Sequence, residues 1–254
     1  MEFIKEHKFL FKELVKRDFK RRYKGTVLGM FWSVLYPLLD LVILVLIFTR
    51  LLGRDTPHYP IYIFCGTIIM SFFRESTKEG LGAFRNNRNI IKKVKVPKFL
   101  FVLSKNVSGL INFSLTLLVF IILCIIDGIK IKVMFLMLIY PIICLTIFNV
   151  GIGLILSTCY AFFRDISYIY DLLLIIINYL SAVFYRVDSF PRKIQLLFVL
   201  NPLFCYIQYF RSIVIYNVIP NLLFHGVCLF YSLFYLSIGL LVYNKHKKNF
   251  IYSL

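Results

Sequence analysis

Arg17, Arg21, Arg22 and Tyr23 cluster in one charged segment, and Lys92, Lys93 and Lys95 form a second basic group further on. Side chains of these types bind anions. Guanidinium forks grip phosphate or carboxylate oxygens in pairs, and ammonium groups act as point charges. No set of residues points to bond-breaking chemistry. The chain has no GxxxxGK[ST] to cradle nucleotide phosphates, and no HExxH or GxSxG. Its four histidines (His7, His58, His225, His246) stand far apart. Six cysteines (Cys65, Cys124, Cys144, Cys159, Cys205, Cys228) are scattered singly with no CxxC, and read as small buried hydrophobes. No metal site is expected.

The elements that must position these cations are apolar. The 254 residues are 60% hydrophobic with a mean hydropathy of +0.81, which excludes a soluble basic domain. Nucleic acid is therefore not what the net charge of +18 meets. By count along the row, nine Lys/Arg fall in residues 5–24, eight in 74–98 and three in 245–248, with long apolar runs between. Cations beside membrane spans mark the cytoplasmic side, because basic loops resist translocation. A multi-pass protein of the cytoplasmic (inner) membrane is expected, with both termini cytoplasmic. Its cations meet anionic headgroups, at about 1 kcal/mol each, and an acidic partner surface. The first 24 residues are too charged to contain the h-region of a signal peptide.

The expected fold class is all-α integral membrane, a single transmembrane domain over 1–254. It has six transmembrane helices, an N-terminal amphipathic interface helix and an outer re-entrant helical hairpin between spans five and six. Residues 1–26 hold the interface helix, with Phe3, Ile4, His7, Leu10, Phe11, Leu14 and Val15 on one face. Asp18 falls on that apolar stripe, so it either pairs with a nearby Arg or ends the helix. The spans are 27–49, 59–80, 99–126, 133–160, 168–185 and 221–243. Residues 194–218 form the hairpin, two apolar pieces broken at Asn201-Pro202 and each too short to cross. The outer connections 50–58, 127–132 and 186–193 hold seven Lys/Arg against twenty in the three basic stretches. Asp40, near the middle of the first span, needs compensation for its burial. Gly25 and Gly29 match GxxxG, but at a span end.

Four strings carry more information in this order. They are LVKRDFKRRYKGTVLGMFWSVLYPLL (Leu14–Leu39), NIIKKVKVPK (89–98), FFRD (162–165) and VFYRVDSFP…LNPLFCYIQYFR (Val183–Arg211). Taken together they resemble the permease subunits of type-2 ABC transporters, over nearly the whole chain. The branch resembled exports lipid-linked polysaccharides such as O-antigen, teichoic acid and capsule. The resemblance implies a homodimer of this chain with two copies of a separate ABC ATPase, which binds the ATP and Mg; this chain binds no cofactor. It implies an undecaprenyl-linked glycan as substrate, with membrane lipids around it. It also places Leu28 and Gly29 at the cytoplasmic pore entrance. The expected substrate and pore-entrance set adds Arg17, Arg21 and Arg22, whose cations would draw a carrier phosphate, with Tyr23, Trp32 and Asp40. Of these, Asp40 is no part of the family pattern. Residues 81–98 become the coupling region, with Arg88, Lys92, Lys93, Lys95, Pro97, Arg164 and Asp165 against the ATPase. Asn201, Pro202 and Arg211 become the outer gate.

Alternatives remain open at several of these positions. The Arg17–Tyr23 cluster anchors headgroups, captures the carrier pyrophosphate or touches the ATPase. Lys92, Lys93 and Lys95 dock the partner or simply obey the positive-inside rule. Arg164-Asp165 is a structural cap and ion pair, with ATPase contact second. Asp40 hydrogen-bonds a neighbouring helix or lines the pore against sugar hydroxyls. Tyr36, Tyr179 or Tyr185 are candidates to stack on sugars. Other functions are a type-2 exporter of small lipophilic compounds, an integral-membrane transferase or phosphatase acting on lipid-linked sugars, and an interaction scaffold. The second would need clustered acids or histidines at one membrane face, which the chain lacks.

Overall fold

A computed structural model describes residues 2–47, 58–93 and 96–247, with side chains from residue 8. Lys95, Lys248, the end of the expected first span and most of the connection 50–58 lie outside the described residues.

Helix α1 (Glu2–Tyr23) carries Lys20, Arg21 and Arg22 in its last turn, where cations meet the negative end of the helix dipole. It does not stop at Asp18. Leu14 is buried and Leu10 packs with it against Ala83, Phe84, Phe101 and Val102. The Leu10–Leu14 part of the amphipathic stripe is thus covered by the protein itself. A 3-10 turn at Gly29–Phe31 leads into α2 (Trp32–Val45). Gly25 and Gly29 have φ of +84° and +52°, a left-handed backbone that glycine adopts without strain. The segment between them is therefore not helical, and the GxxxG spacing marks no helix-packing face.

Helix α3 (Tyr59–Leu81) is the central element, buried along most of its length. Short α4 (Ala83–Asn86) and α5 (Arg88–Lys93) follow. Helices α6 (Phe99–Ile126), α7 (Ile139–Phe162, extended by a 3-10 turn from Val133) and α11 (Leu222–His246) are long and apolar enough to cross a membrane. Helix α8 (Ile166–Leu180) spans only about 22 Å, and residues 181–185 beyond it turn rather than continue. Helices α9 (Arg192–Val199) and α10 (Pro202–Val214) meet at Asn201 with a bend of 105°. Among the described residues, three helices pass as spans, or four if the bent pair counts as one. Helix α3 falls below them in hydropathy because its C-terminal third carries Arg74, Glu75, Lys78 and Glu79.

The core joins α3 to α6, α7 and α10 through rings such as Phe64–Phe120, Phe73–Phe148 and Phe148–Tyr206. Five of the six cysteines are buried, an environment that suits inert thiols. Helices α7 and α11 touch backbone to backbone. A Cβ on Gly239 would lie 2.5 Å from the Gly151 carbonyl oxygen, and one on Gly151 would lie 2.5 Å from the Tyr235 carbonyl. Small residues allow such close approach, which is how helices gain packing energy in lipid. Gly239→Val should therefore force the pair apart and cost at least about 2 kcal/mol. Thermal unfolding of the detergent-purified protein checks this, with Gly226→Ala, on the same helix with open space around it, left unchanged. Equal melting of the two variants would refute the packing argument.

Candidate functional site

The basic end of α1 meets two acids of α3 placed one turn apart, Glu75 and Glu79. Arg17 donates to Asp18 Oδ1 at 2.8 Å and to Asn87 Oδ1 at 2.8 Å. Asp18 is also 3.2 Å from Lys105 Nζ, and Lys105 donates to Glu79 Oε2 at 2.9 Å. Lys105 and Asp18 have side chains only 3% and 2% exposed, so a buried ion pair joins α1 to α6, and Lys105 extends it to the half-exposed Glu79 of α3. Ser104 Oγ donates to Asp18 Oδ2 as well. One turn further, Arg22 pairs with Glu75, Asn112 Nδ2 donates to Glu75 Oε2 at 2.8 Å, and the Tyr23 hydroxyl donates to Asn112 Oδ1. Burial pushes the Tyr23 hydroxyl above its ordinary value, which keeps it a neutral donor.

These bonds sort the expected anion-binding trio. Arg17 and Arg22 are half-buried and engaged in ion pairs with Asp18 and Glu75, whereas Arg21 is exposed, as are Lys20 and Lys24. A concavity of ≈ 990 Å³ opens beneath them, lined by Arg17, Phe19, Lys20, Arg21, Tyr23, Lys24, Gly29 and Met30. A smaller cleft of ≈ 190 Å³ lies between Asp18, Arg21, Arg22, Glu79, Lys105 and Ser108. Arg21 borders both. Four cations face the larger space and no acid lines it, so it suits a phosphate-bearing headgroup with an apolar tail. Leu28 and Trp32, also expected here, are exposed on the loop and the start of α2, beside Val27, which is fully exposed, and Phe31.

Lys105, Glu75, Glu79, Asn112 and Asn87 were not singled out from sequence. The signal was present for three of them: ionisable residues inside apolar helices are costly and seldom idle.

In the expected coupling region, Arg88, Lys92 and Lys93 are exposed, while Ile90 and Ile91 pack inward on the cluster that holds α1. Asn87 Nδ2 donates to Ala83 O at 2.7 Å and its oxygen accepts from Arg17. Asn87 thereby ties the α4–α5 segment to α1. Pro97 is half-buried at the head of α6, with its carbonyl accepting from Leu100. Arg85 lies over the Tyr160 ring, 5.4 Å from its centroid, and sets the end of α7 against α4. Arg164 and Asp165 are exposed at the next turn. Asp165 occupies the N-cap position of α8, but its side chain caps nothing. No ion pair with Arg164 forms among the described residues, so the cap-and-ion-pair reading fails. The reason is that both side chains point into open space where water competes.

At the other end, Asn201 caps α10 by accepting from Leu203 N and donates to Leu180 O and Ser181 Oγ. Pro202 starts α10, where its missing N–H costs nothing. Arg211 has no exposed surface. Its guanidinium donates to the carbonyls of Ala182 (3.0 Å), Val183 (2.8 Å) and Tyr62, and lies 3.5 Å over the Tyr62 ring. Tyr59 and Tyr62 hydroxyls donate to Phe184 O and Tyr185 O. The irregular 181–185 stretch thus has its carbonyls satisfied from α3 and α10, which non-helical backbone needs in an apolar setting. Arg211 is a clasp beneath the expected gate and not part of its surface.

Asp40 is exposed on α2, and no hydrogen bond from a neighbouring helix reaches it among the described residues. Of its two readings, the bonded one is not formed. Tyr36 and Tyr179 are also exposed, whereas the Tyr185 hydroxyl donates to Tyr179 O.

Residues 9–215 match the family model for the ABC-2 type transporter. Two O-antigen export system permease proteins RfbA of Klebsiella pneumoniae are 30% and 29% identical, over 239 and 244 residues. Each alignment covers 93% of this chain and 92% of the relative. The polysialic acid transport protein KpsM of Escherichia coli is 25% identical over 250 residues, 94% of both chains.

Proposed function

The chain belongs to the ABC-2 type transporter family, a family of membrane permeases, and from that premise we propose that it is the membrane-spanning subunit of an ATP-driven exporter of a lipid-linked polysaccharide. The observation that carries this reading is end-to-end similarity to O-antigen and polysialic acid permeases. The cationic concavity at the end of α1 supports it. Lys20, Arg21 and Lys24 receive the phosphates of an undecaprenyl-type carrier, and Leu28, Gly29 and Trp32 border the same approach. Arg17, Arg22, Asp18, Lys105, Glu75 and Glu79 fix α1 to the transmembrane helices.

The chain has no nucleotide-binding motif, so two copies of an ATPase subunit supply the ATP chemistry and dock on Arg88, Lys92, Lys93 and the Arg164–Asp165 turn. A homodimer encloses the glycan path. In that arrangement α2, α3, α6, α7, α8 and α11 serve as six spans, and α9–α10 is an outer hairpin around Asn201-Pro202. Both termini lie in the bacterial cytoplasm, and teichoic acid or capsule-like polymers are within the same substrate class.

Depletion of the chain should raise the cytoplasmic pool of lipid-linked glycan as surface polymer falls; an unchanged pool would refute export. Neutralising Lys20, Arg21 and Lys24 together to Gln should lower export about tenfold, a loss of ~1.4 kcal/mol of headgroup binding, with normal protein levels. Arg22→Gln should instead reduce the amount of protein, because Glu75 loses its cationic partner and keeps only the Asn112 amide. The opposite pattern would exchange the roles of these cations.

A further inference from the structure

Helices α3, α6 and α7 meet along one seam toward the α4–α5 end of the molecule, and glycines line it. A Cβ on Gly80 would lie 3.1 Å from Gly153 Cα, one on Gly153 would lie 2.9 Å from the Val102 side chain, and one on Gly109 would lie 2.8 Å from Ser76 Oγ. Gly80 and Ser76 belong to α3, Val102 and Gly109 to α6, and Gly153 to α7. Asn106 follows Val102 by one turn and precedes Gly109 by another, so it shares their stripe of α6. Asn149 precedes Gly153 by one turn and adjoins Phe148, whose ring meets Phe73 of α3 at 5.8 Å. It therefore lies on the face of α7 that meets α3 and α6. Read against these contacts, the two asparagines stand about one turn apart along the seam, roughly 5 Å.

Asn106 and Asn149 are 1% and 0% exposed, and Ser76 is 2% exposed. Yet neither polar atom of Asn106, neither of Asn149, nor Ser76 Oγ has a hydrogen-bond partner among the described residues. Ser108 is unpaired as well, but it lines the cleft beside α1, and Thr158 lies beyond Gly153 on α7. Burying an amide without partners is costly, whereas an apolar side chain of the same shape carries no such cost. Groups that destabilise one arrangement persist where a second arrangement uses them. Two asparagine amides complement each other, since each carries an acceptor and two donors. What separates this pair is the offset along the seam, and glycines offer few side chains to resist a slide. Helix α3 reaches from the ion pairs of Glu75 and Glu79 to the Tyr59 and Tyr62 contacts with Phe184 and Tyr185. A slide against α3 is therefore felt at both ends.

Resting on the export reading above, we propose that Asn106 and Asn149 are positioning residues of the transport step. Helices α6 and α7 slide along the seam between this arrangement, with the amides unpaired, and a second in which they bond each other. The unpaired amides raise the energy of the first arrangement, which keeps the second within reach.

Asn106→Leu and Asn149→Leu test this, because leucine is close in size and removes the orphaned groups. Each purified variant should melt no lower than wild type. In cells carrying the whole transporter, each should nevertheless lower surface glycan roughly tenfold at normal protein levels, the scale of one interhelical hydrogen bond in a membrane. A purely structural role cannot give this split, because export would then fall only with the fold. The double variant should export about as much as either single, since the two side chains share one interaction. Lower melting of either single variant would mean that the amides already have partners where they stand, and would overturn the slide. Wild-type export in either, or a double variant whose loss is the product of the two, would overturn it as well. Failure of the export reading itself shows separately, as a lipid-linked pool that depletion does not change.

Discussion

Arg211→Met is expected to leave little folded protein in the membrane, and Arg211→Lys to recover only part of it. Two effects oppose each other in the Met variant. Removing a fully buried guanidinium that has no carboxylate partner among the described residues relieves the cost of desolvating a charge. It also orphans the carbonyls of Ala182 and Val183, which lie outside any helix, at roughly 1–3 kcal/mol each.

The second effect wins because those carbonyls have nowhere else to turn. Ala182 sits at φ +50°, so the stretch cannot simply rejoin α8 and form helical bonds. Water is excluded, since Ala182 and Val183 are fully buried. A net loss of about 3–5 kcal/mol follows, a large share of an ordinary stability. A lysine keeps the charge but cannot span three carbonyls as a planar fork does. Melting of the purified protein decides the matter. A Met variant that melts like wild type would show that the carbonyls find other partners.

Lys105→Met is expected to cost almost as much, about 3 kcal/mol, by stranding the buried carboxylate of Asp18. Arg17 still reaches Asp18, but its side chain is 39% exposed and partly engaged by Asn87, so it compensates poorly. The Asp18→Asn/Lys105→Met double variant should recover most of the loss, because a neutral amide no longer needs the ammonium. A double-mutant cycle measures the coupling directly. Additive losses would mean that the two side chains do not depend on each other. Detachment of α1 should accompany the single variant, seen as faster protease cleavage near Leu14.

Local features were legible from composition and spacing. The helical class, the amphipathic α1 and the break at Asn201-Pro202 each depend on residues within a few positions of one another, where hydrophobic periodicity and backbone restriction act. The length of α8 was less so. Residues 181–185 are as apolar as those before them, and only Arg211, Tyr59 and Tyr62 explain why the helix can end there. Asp40 suited a hydrogen bond to a neighbouring helix or a pore contact with sugar hydroxyls, and only the packing of α2 leaves it exposed with no hydrogen bond among the described residues.

The cations show most clearly how the two levels divide. By itself the sequence determined that they cluster at the ends of apolar runs, that no P-loop or metal-ligand motif accompanies them, and which family the ordered strings resemble. Those are statements about composition and short-range order. It could not say which cations are free. That depends on acids 53 residues from Arg22 and 26 residues from Lys105, and on an amide 70 residues from Arg17. Tertiary packing alone brings such groups together, because an ion pair forms wherever helices leave complementary charges within about 4 Å in a dry interface. The fold spends Arg17 and Arg22 on holding α1, and leaves Lys20, Arg21 and Lys24 exposed.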